Sequence, residues 1–231
     1  MGNIRVAIDG PAGAGKSTVA KKVAEALGML YVDSGAMYRA VTWGIIADQI
    51  NLRDEQQLQQ YLRQLQLHVH DDADGKQRVW LNGKEISEQI RSPEVTSQVS
   101  SVAAHPAVRE RLVQLQRELA KKGSVVMDGR DIGTVVFPDA DVKLFITASP
   151  EERALRRYRE LLERGYPADY EEVKQEMIKR DQSDSGRAIA PLKPAPDAII
   201  LDTSGMALSE VVEQVIRIIR QAKRGEPRCI T

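Results

Sequence analysis

Short apolar runs alternate with longer stretches of helical period along most of the chain, and each change of period marks an element. Residues 4–8 read as a strand. From 16 to 27, Val19, Ala20, Val23, Ala24 and Leu27 fall on one helical face, and Gly28 closes the helix as a C-cap. Residues 30–32 form a second strand pattern, and 34 to about 48 a second helix. Residues 125–127 and 142–147 read as two further buried strands. "SPEE" then opens a helix with Ser149 as N-cap, Pro150 in the first helical position and Glu152 closing a capping box. A last strand at 198–201 and an amphipathic helix near 208–223 complete the alternation. Buried strands alternating with helices predict an α/β fold with a parallel sheet covered on both faces.

One segment departs from this rhythm. Residues 67–87, "LHVHDDADGKQRVWLNGKEIS", alternate apolar and polar positions, with Leu67 and Val69 placed to pair with Val79 and Leu81. "DADG" and "NG" are turn signals, the second a strong hairpin signal. A small antiparallel insert is expected, reached through a Gln-rich polar helix near 54–66. Such an insert covers a substrate, forms an interaction flap, or is a plain surface hairpin. His68 and His70 share one face of its first strand, no third metal ligand is evident, and they read as surface residues. His105, before a proline, starts or bends a helix.

Composition narrows the function. The chain has 231 residues, enough for one sizeable core, and 42% of them are apolar. Lys plus Arg equals Asp plus Glu at 33 each, which argues against the basic excess of a broad nucleic-acid or membrane surface. No run approaches the roughly 20 apolar residues of a membrane span. "MGNIRVAIDG" is a strand pattern without an apolar leader, and it lacks the Ser or Thr at the sixth position that myristoylation requires. A single cysteine, Cys229, permits no disulfide within the chain. These features predict a cytoplasmic protein with no nucleic-acid or membrane partner, and a monomer is the expected state.

The chemistry begins at "DGPAGAGKST". Gly10, Gly15, Lys16 and Ser17 fit G-x-x-x-x-G-K-[S/T], after a strand and at a helix start. Gly10, Gly13 and Gly15 allow turns that side chains would block, and the loop N–H groups with the helix N-terminus hold anionic phosphate. Lys16 supplies charge to the β- and γ-phosphates, and the Ser17 hydroxyl can ligate Mg²⁺. A dinucleotide loop is the alternative, but after Gly13 and Gly15 its third glycine position holds Thr18. A bound nucleoside triphosphate is therefore expected.

What receives the phosphate is indicated elsewhere. No Asn-Lys pair provides the guanine reader of a GTPase, and the chain is short for a motor or transporter ATPase. Arginine instead stands beside carboxylate at three separated places, which suits a second, small anionic substrate. "DSGAMYR" (33–39) follows the second strand and puts Ser34 and Arg39 where ligands bind in open sheets. "MDGRDIGTVVFP" (127–138) packs Asp128, Arg130 and Asp131 around Gly129 and Gly133. In "RDQSDSGR" (180–187), Arg180, Asp184 and Arg187 stand at i, i+4 and i+7, one face of a helix. The helical stretch after "SPEE" carries arginines at 153, 156, 157, 159 and 164. From 151 to 187 nine basic and ten acidic residues alternate, which fits a mobile charged lid better than a basic patch.

Together, "AIDGPAGAGKST", "DSGAMYR", "MDGRDIGTVVFPDADVKLFITAS" and "APL…DAIILDTS" resemble the bacterial cytidylate kinases, with the small β insert included and essentially the whole chain covered. The resemblance implies a P-loop nucleoside-monophosphate kinase fold: a five-stranded parallel sheet flanked by helices, a small antiparallel β insert and a short helical lid. It implies one kinase domain, with its core at about 1–60 and 95–231, a monophosphate-binding insert at about 62–93 and a lid at about 150–187. It further implies ATP-dependent, Mg²⁺-assisted phosphorylation of CMP and dCMP; the alternatives are a kinase of another nucleoside monophosphate such as UMP and a non-catalytic nucleotide-binding regulatory protein.

Carried over by position, Gly10, Pro11, Ala12, Gly13, Ala14, Gly15, Lys16, Ser17 and Thr18 bind ATP phosphates, with Ser17 on the metal and Arg156 and Arg157 steadying ATP. Ser34, Arg39 and Arg130 line the CMP phosphate. Ser100, Arg109 and Asp131 contact cytosine, Arg180 and Asp184 hold the ribose, and Arg187 joins the phosphate clamp. Lys16, Arg130 and Arg187 are the catalytic cations. One departure is Gly186, a glycine within that last charged stretch.

Overall fold

The structure is a computed structural model and describes residues 3–72 and 77–226. Two compact units emerge, one of Met1–Val32 with Ala120–Thr231, the other of Asp33–Leu119.

The first unit is built on β1 (Arg5–Asp9), α1 (Lys16–Leu27) and β2 (Leu30–Asp33), and on six elements that follow the second unit in the chain. In the second unit these are α2 (Ser34–Ala47), α3 (Glu55–Gln64), β3 (Leu67–Asp71), β4 (Gln77–Leu81), β5 (Lys84–Glu85), α4 (Pro93–Ala104) and α5 (Pro106–Ala120). The first unit resumes with β6 (Val125–Gly129), β7 (Val142–Thr147), α6 (Pro150–Glu163), α7 (Tyr170–Ser185), β8 (Ile199–Asp202) and α8 (Leu208–Arg224). Its sheet has the order β2-β6-β1-β7-β8. β1 runs parallel to β6 on one side and to β7 on the other, and β7 runs parallel to β8. The chain leaves β1 toward one side of the sheet and later returns to build the other. The end of β1 is therefore the point where strand order reverses, the place where open sheets bind ligands.

Val6, Ala7 and Ile8 of β1 are wholly buried, as are Val125, Val126 and Met127 of β6. Burial on both faces explains why these strands read as continuous apolar runs. Helices α1 and α8 supply Val19, Ala20, Val23, Val211, Val215, Ile218 and Ile219 to the same core. Gly28 ends α1 in the left-handed conformation at φ 61°, as its position in the sequence predicts. The "SPEE" start is half as expected. Ser149 accepts the Glu152 amide, but the Glu152 carboxylate takes the Gly205 amide and Arg156 instead of closing a capping box.

The second unit contains the insert. β3 and β4 pair antiparallel with Leu67 opposite Leu81 and Val69 opposite Val79, the register the alternation predicts. Asn82 (φ 49°) and Gly83 (φ 80°) make the two-residue turn into β5, both left-handed as an Asn-Gly hairpin turn requires. The predicted turn at 72–75 lies outside the described residues except for Asp72, and Cys229 lies outside them altogether. His68 and His70 are exposed, and His105 ends α4 immediately before α5 begins.

Candidate functional site

The loop between β1 and α1 is shaped by two kinds of constraint. Steric ones come first: Gly13 and Gly15 have φ of 71° and 82°, in the left-handed region, and a Cβ on Gly13 would press on Met177 Cε and the Arg153 carbonyl. Polar ones follow. The Lys16 ammonium donates to the Pro11 carbonyl at 2.7 Å, Arg153 to the Ala12 carbonyl at 3.0 Å, and Arg156 to the Ala14 carbonyl at 3.5 Å. Three loop carbonyls are thus turned toward cations.

Lys16 is 5% exposed. Burial, reinforced by Arg130 and by Arg180, pushes its pKa down to about 7, while Asp128 and Asp9 oppose the shift. Ser17 donates its hydroxyl to Asp128 at 2.8 Å, and the other Asp128 oxygen accepts from Tyr31 at 2.9 Å. Strand β6 continues two residues beyond its predicted end, so Asp128 is a strand residue whose neighbours fix it from two directions.

Asp9, at the end of β1, accepts the amides of Ile132 and Gly133 at 2.8 and 2.7 Å. Burial pushes its pKa up to about 6, against the pull of those two amides, with Asp131 adding to the rise. Asp131 immediately precedes this wide helical turn, Ile132–Val136, and is itself buried. Gly133 allows close approach, but of the chain's own Asp9 and Lys143 side chains.

Arginines converge on Asp184. Arg130 bonds it at 3.0 Å, and Arg187 lies 4.0 Å from its other oxygen and donates to its carbonyl at 3.2 Å. Burial raises the Asp184 pKa, but Arg130, Arg180 and Arg187 together prevail and hold it below the usual carboxylate value. The helical-face reading of the three positions needs correction. Helix α7 stops at Ser185 with Gly186 as its cap, and Arg187 reaches Asp184 from beyond the helix end. Arg130 and Arg180 also act on Lys16, so the loop cation and the arginine cluster share one electrostatic environment.

Helices α6 and α7 pack through Ala154, Val173 and Met177, with Ala12 of the loop against them. Arg156 touches the loop; Arg157 pairs with Glu160 at 2.9 Å. Two residues with no role in the motif-based reading stand here as well: Arg153 and Asp181 pair with one another and both bond Ala12.

The second unit holds its own predicted set. Asp33 caps α2 through the Ala36 amide and pairs with Arg39 at 3.0 Å; Ser34 is buried beside it. Arg109 is buried on α5, donates to the Ala103 carbonyl at 3.1 Å and lies over the Tyr38 ring at 5.7 Å. Ser100 lies on α4.

The cytidylate kinase family model matches residues 6–221. The chain belongs to the cytidylate kinase family. The cytidylate kinase of Shouchella clausii is 53% identical over 219 residues, covering 95% of this chain and 97% of its own length. That of a Geobacillus species is 52% identical, and that of Pelotomaculum thermopropionicum 51%, with the same coverage. Among solved structures, an uncharacterized protein from Eubacterium ventriosum shares the fold with a TM-score of 0.52 at 15% identity, over 94% of this chain and 99% of that one. As a cytidylate kinase family member the chain is a nucleotide-binding transferase, and the cation cluster around the glycine-rich loop is what two nucleotide anions require. No helix among the described residues is long and apolar enough to cross a membrane.

Proposed function

We propose that this chain transfers the γ-phosphoryl group of ATP to CMP and dCMP, giving ADP with CDP or dCDP. The bond from the γ-phosphorus to the ADP oxygen breaks, and a bond to a CMP phosphate oxygen forms. The observation that carries this reading is the buried Lys16 that ends the glycine-rich loop together with Arg130 and Arg187 gathered on Asp184, in a chain of this family. Two polyanions repel, and fixed cations in a dry site offset that repulsion and stabilise charge on the transferring group.

No general base is needed, because a phosphate monoester with a second pKa near 6 is largely ionised at neutral pH. The loop from Gly10 to Thr18 holds the ATP phosphates, with Arg156 beside it; Arg157 is assigned there by position alone. Arg130 and Arg187 clamp the CMP phosphate, Arg180 and Asp184 hold its ribose, and Asp131 reads its base. In the second unit, Ser34 and Arg39 are assigned to the phosphate and Ser100 and Arg109 to cytosine. The Ser17 hydroxyl beside the Asp128 carboxylate is an all-oxygen donor set that suits Mg²⁺. Bound there, Mg²⁺ would neutralise charge on the ATP phosphates. Helices α6 and α7 act as a lid that excludes water. One chain carries every residue named, which favours a monomer, and ATP and CMP as substrates favour a cytoplasmic location.

The test is ADP formation with ATP and Mg²⁺ against CMP, dCMP, UMP, AMP and dTMP in turn. Turnover with CMP at least tenfold above UMP, AMP and dTMP is expected. A preference for another acceptor, or none, would overturn the reading.

A further inference from the structure

We infer that Arg153 and Asp181 are positioning residues for the phosphate loop, aiming its Gly13 amide by holding both polar backbone groups of Ala12. The inference rests on the donor role proposed for that loop. Arg153 is 7% exposed and makes three bonds at once: to the Ala12 carbonyl at 3.0 Å, to the Ala148 carbonyl at 3.1 Å and to Asp181 at 2.6 Å. The second Asp181 oxygen accepts the Ala12 amide at 3.4 Å. An ion pair between two helices therefore clasps one residue in the middle of the loop, between Pro11 and Gly13.

A trans peptide is planar, with its C=O and N–H pointing in opposite directions. Drawing the Ala12 carbonyl toward Arg153 turns the Gly13 N–H the other way. Arg156 acts likewise, more weakly, on the Ala14 carbonyl and hence on the Gly15 N–H. Without such anchors, a loop with glycine at 10, 13 and 15 has many backbone states to choose from. Asp181 occupies the Ala12 N–H itself, which removes that amide from the set available to an anion. Geometry that is lost by about 1 Å can cost on the order of 100-fold in rate, so the clasp affects transfer without touching either nucleotide. The surrounding apolar contact of Ala12 and Gly13 with Met177 and its neighbours sets where the loop lies; the ion pair sets which way its peptides face.

Arg153→Met, Asp181→Ala, the double variant and Ile219→Val separate this role from a structural one. The first two are expected to lower kcat/KM for ATP about 10- to 100-fold, with KM for CMP within about twofold. Because the two side chains act as a unit, the double variant is expected to be no worse than the weaker single variant. Ile219→Val trims the buried core on α8 and is expected to lower Tm while leaving kcat/KM for ATP unchanged. If the truncations fail to fold, Asp181→Asn carries the test: it keeps the shape, loses the charge-assisted bond, and is expected to cost about threefold or more for ATP. Unchanged ATP kinetics in a folded variant, or equal losses for ATP and CMP that track Tm, would overturn the inference. ADP affinity by calorimetry is read in parallel. Wild-type protein that binds ADP without phosphorylating CMP would overturn the proposed activity, and the variants' ADP affinities, expected to fall about tenfold, would still decide the clasp.

Discussion

Lys16 is buried among like and unlike charges, and its proton is the residue-scale consequence. Burial with Arg130 brings its pKa down to about 7, so in the free protein it sheds its proton as pH rises past neutrality. ATP phosphates favour the ammonium form. Binding ATP above pH 7 must therefore take up a proton, approaching one per site by pH 8, and affinity is expected to fall as pH rises from 7 to 9. Calorimetry of ATP binding at pH 8 in buffers of differing ionisation heat measures this uptake. A buffer-independent enthalpy with an unchanged affinity would contradict it. At this scale the sequence was most informative where chemistry demands a contiguous motif: glycines, lysine and hydroxyl in residues 10–18 needed no tertiary information. Arg153 and Asp181 were illegible for the opposite reason. They lie 28 residues apart on two helices, and among five closely spaced arginines nothing local distinguishes the one that turns inward.

At the scale of elements, the alternation of periods located the strands, and the Asn-Gly turn with its flanking pattern gave the hairpin register residue by residue. Ends were less legible. β6 runs on to Gly129 because Asp128 and Gly129 pair with β1 although neither is apolar enough to read as a buried strand, and α7 stops before Arg187 although the spacing is helical. Gly44, inside α2, shows why packing overrides propensity. Alanine there would gain about 1 kcal/mol of helix propensity, but its Cβ would run into the Tyr61 hydroxyl and come within 2.7 Å of Leu81 Cδ2. Overpacking costs about 1–3 kcal/mol, so Gly44→Ala is expected to destabilise. The Tyr61 hydroxyl is buried with no hydrogen-bond partner among the described residues, and Tyr61→Phe is expected to stabilise by about 1 kcal/mol and to relieve part of the Gly44→Ala cost. Denaturant midpoints at constant m value read both; a stabilising Gly44→Ala, or a Tyr61→Phe that loses more than about 1 kcal/mol, would contradict this packing account.

At the scale of the whole molecule, a chain with 33 basic and 33 acidic residues still gathers a set of cations at one strand end. Local placement, not net charge, makes the site: Asp9 and Asp128 act on Lys16 and Asp184 on the arginines, and a second anion is the natural ligand for what remains. The sequence showed the α/β class and the family. It did not show the division at Asp33 and Leu119, because compactness depends on contacts that no local pattern encodes. The central claim is direct transfer from ATP to CMP in place of hydrolysis. Phosphorus NMR of the protein with ATP, Mg²⁺ and equimolar CMP measures every product at once. ADP and CDP are expected to appear in equal amounts, with inorganic phosphate below about a hundredth of either, since a site that admitted water would waste ATP. ADP matched by inorganic phosphate, with CMP unchanged, would contradict the account.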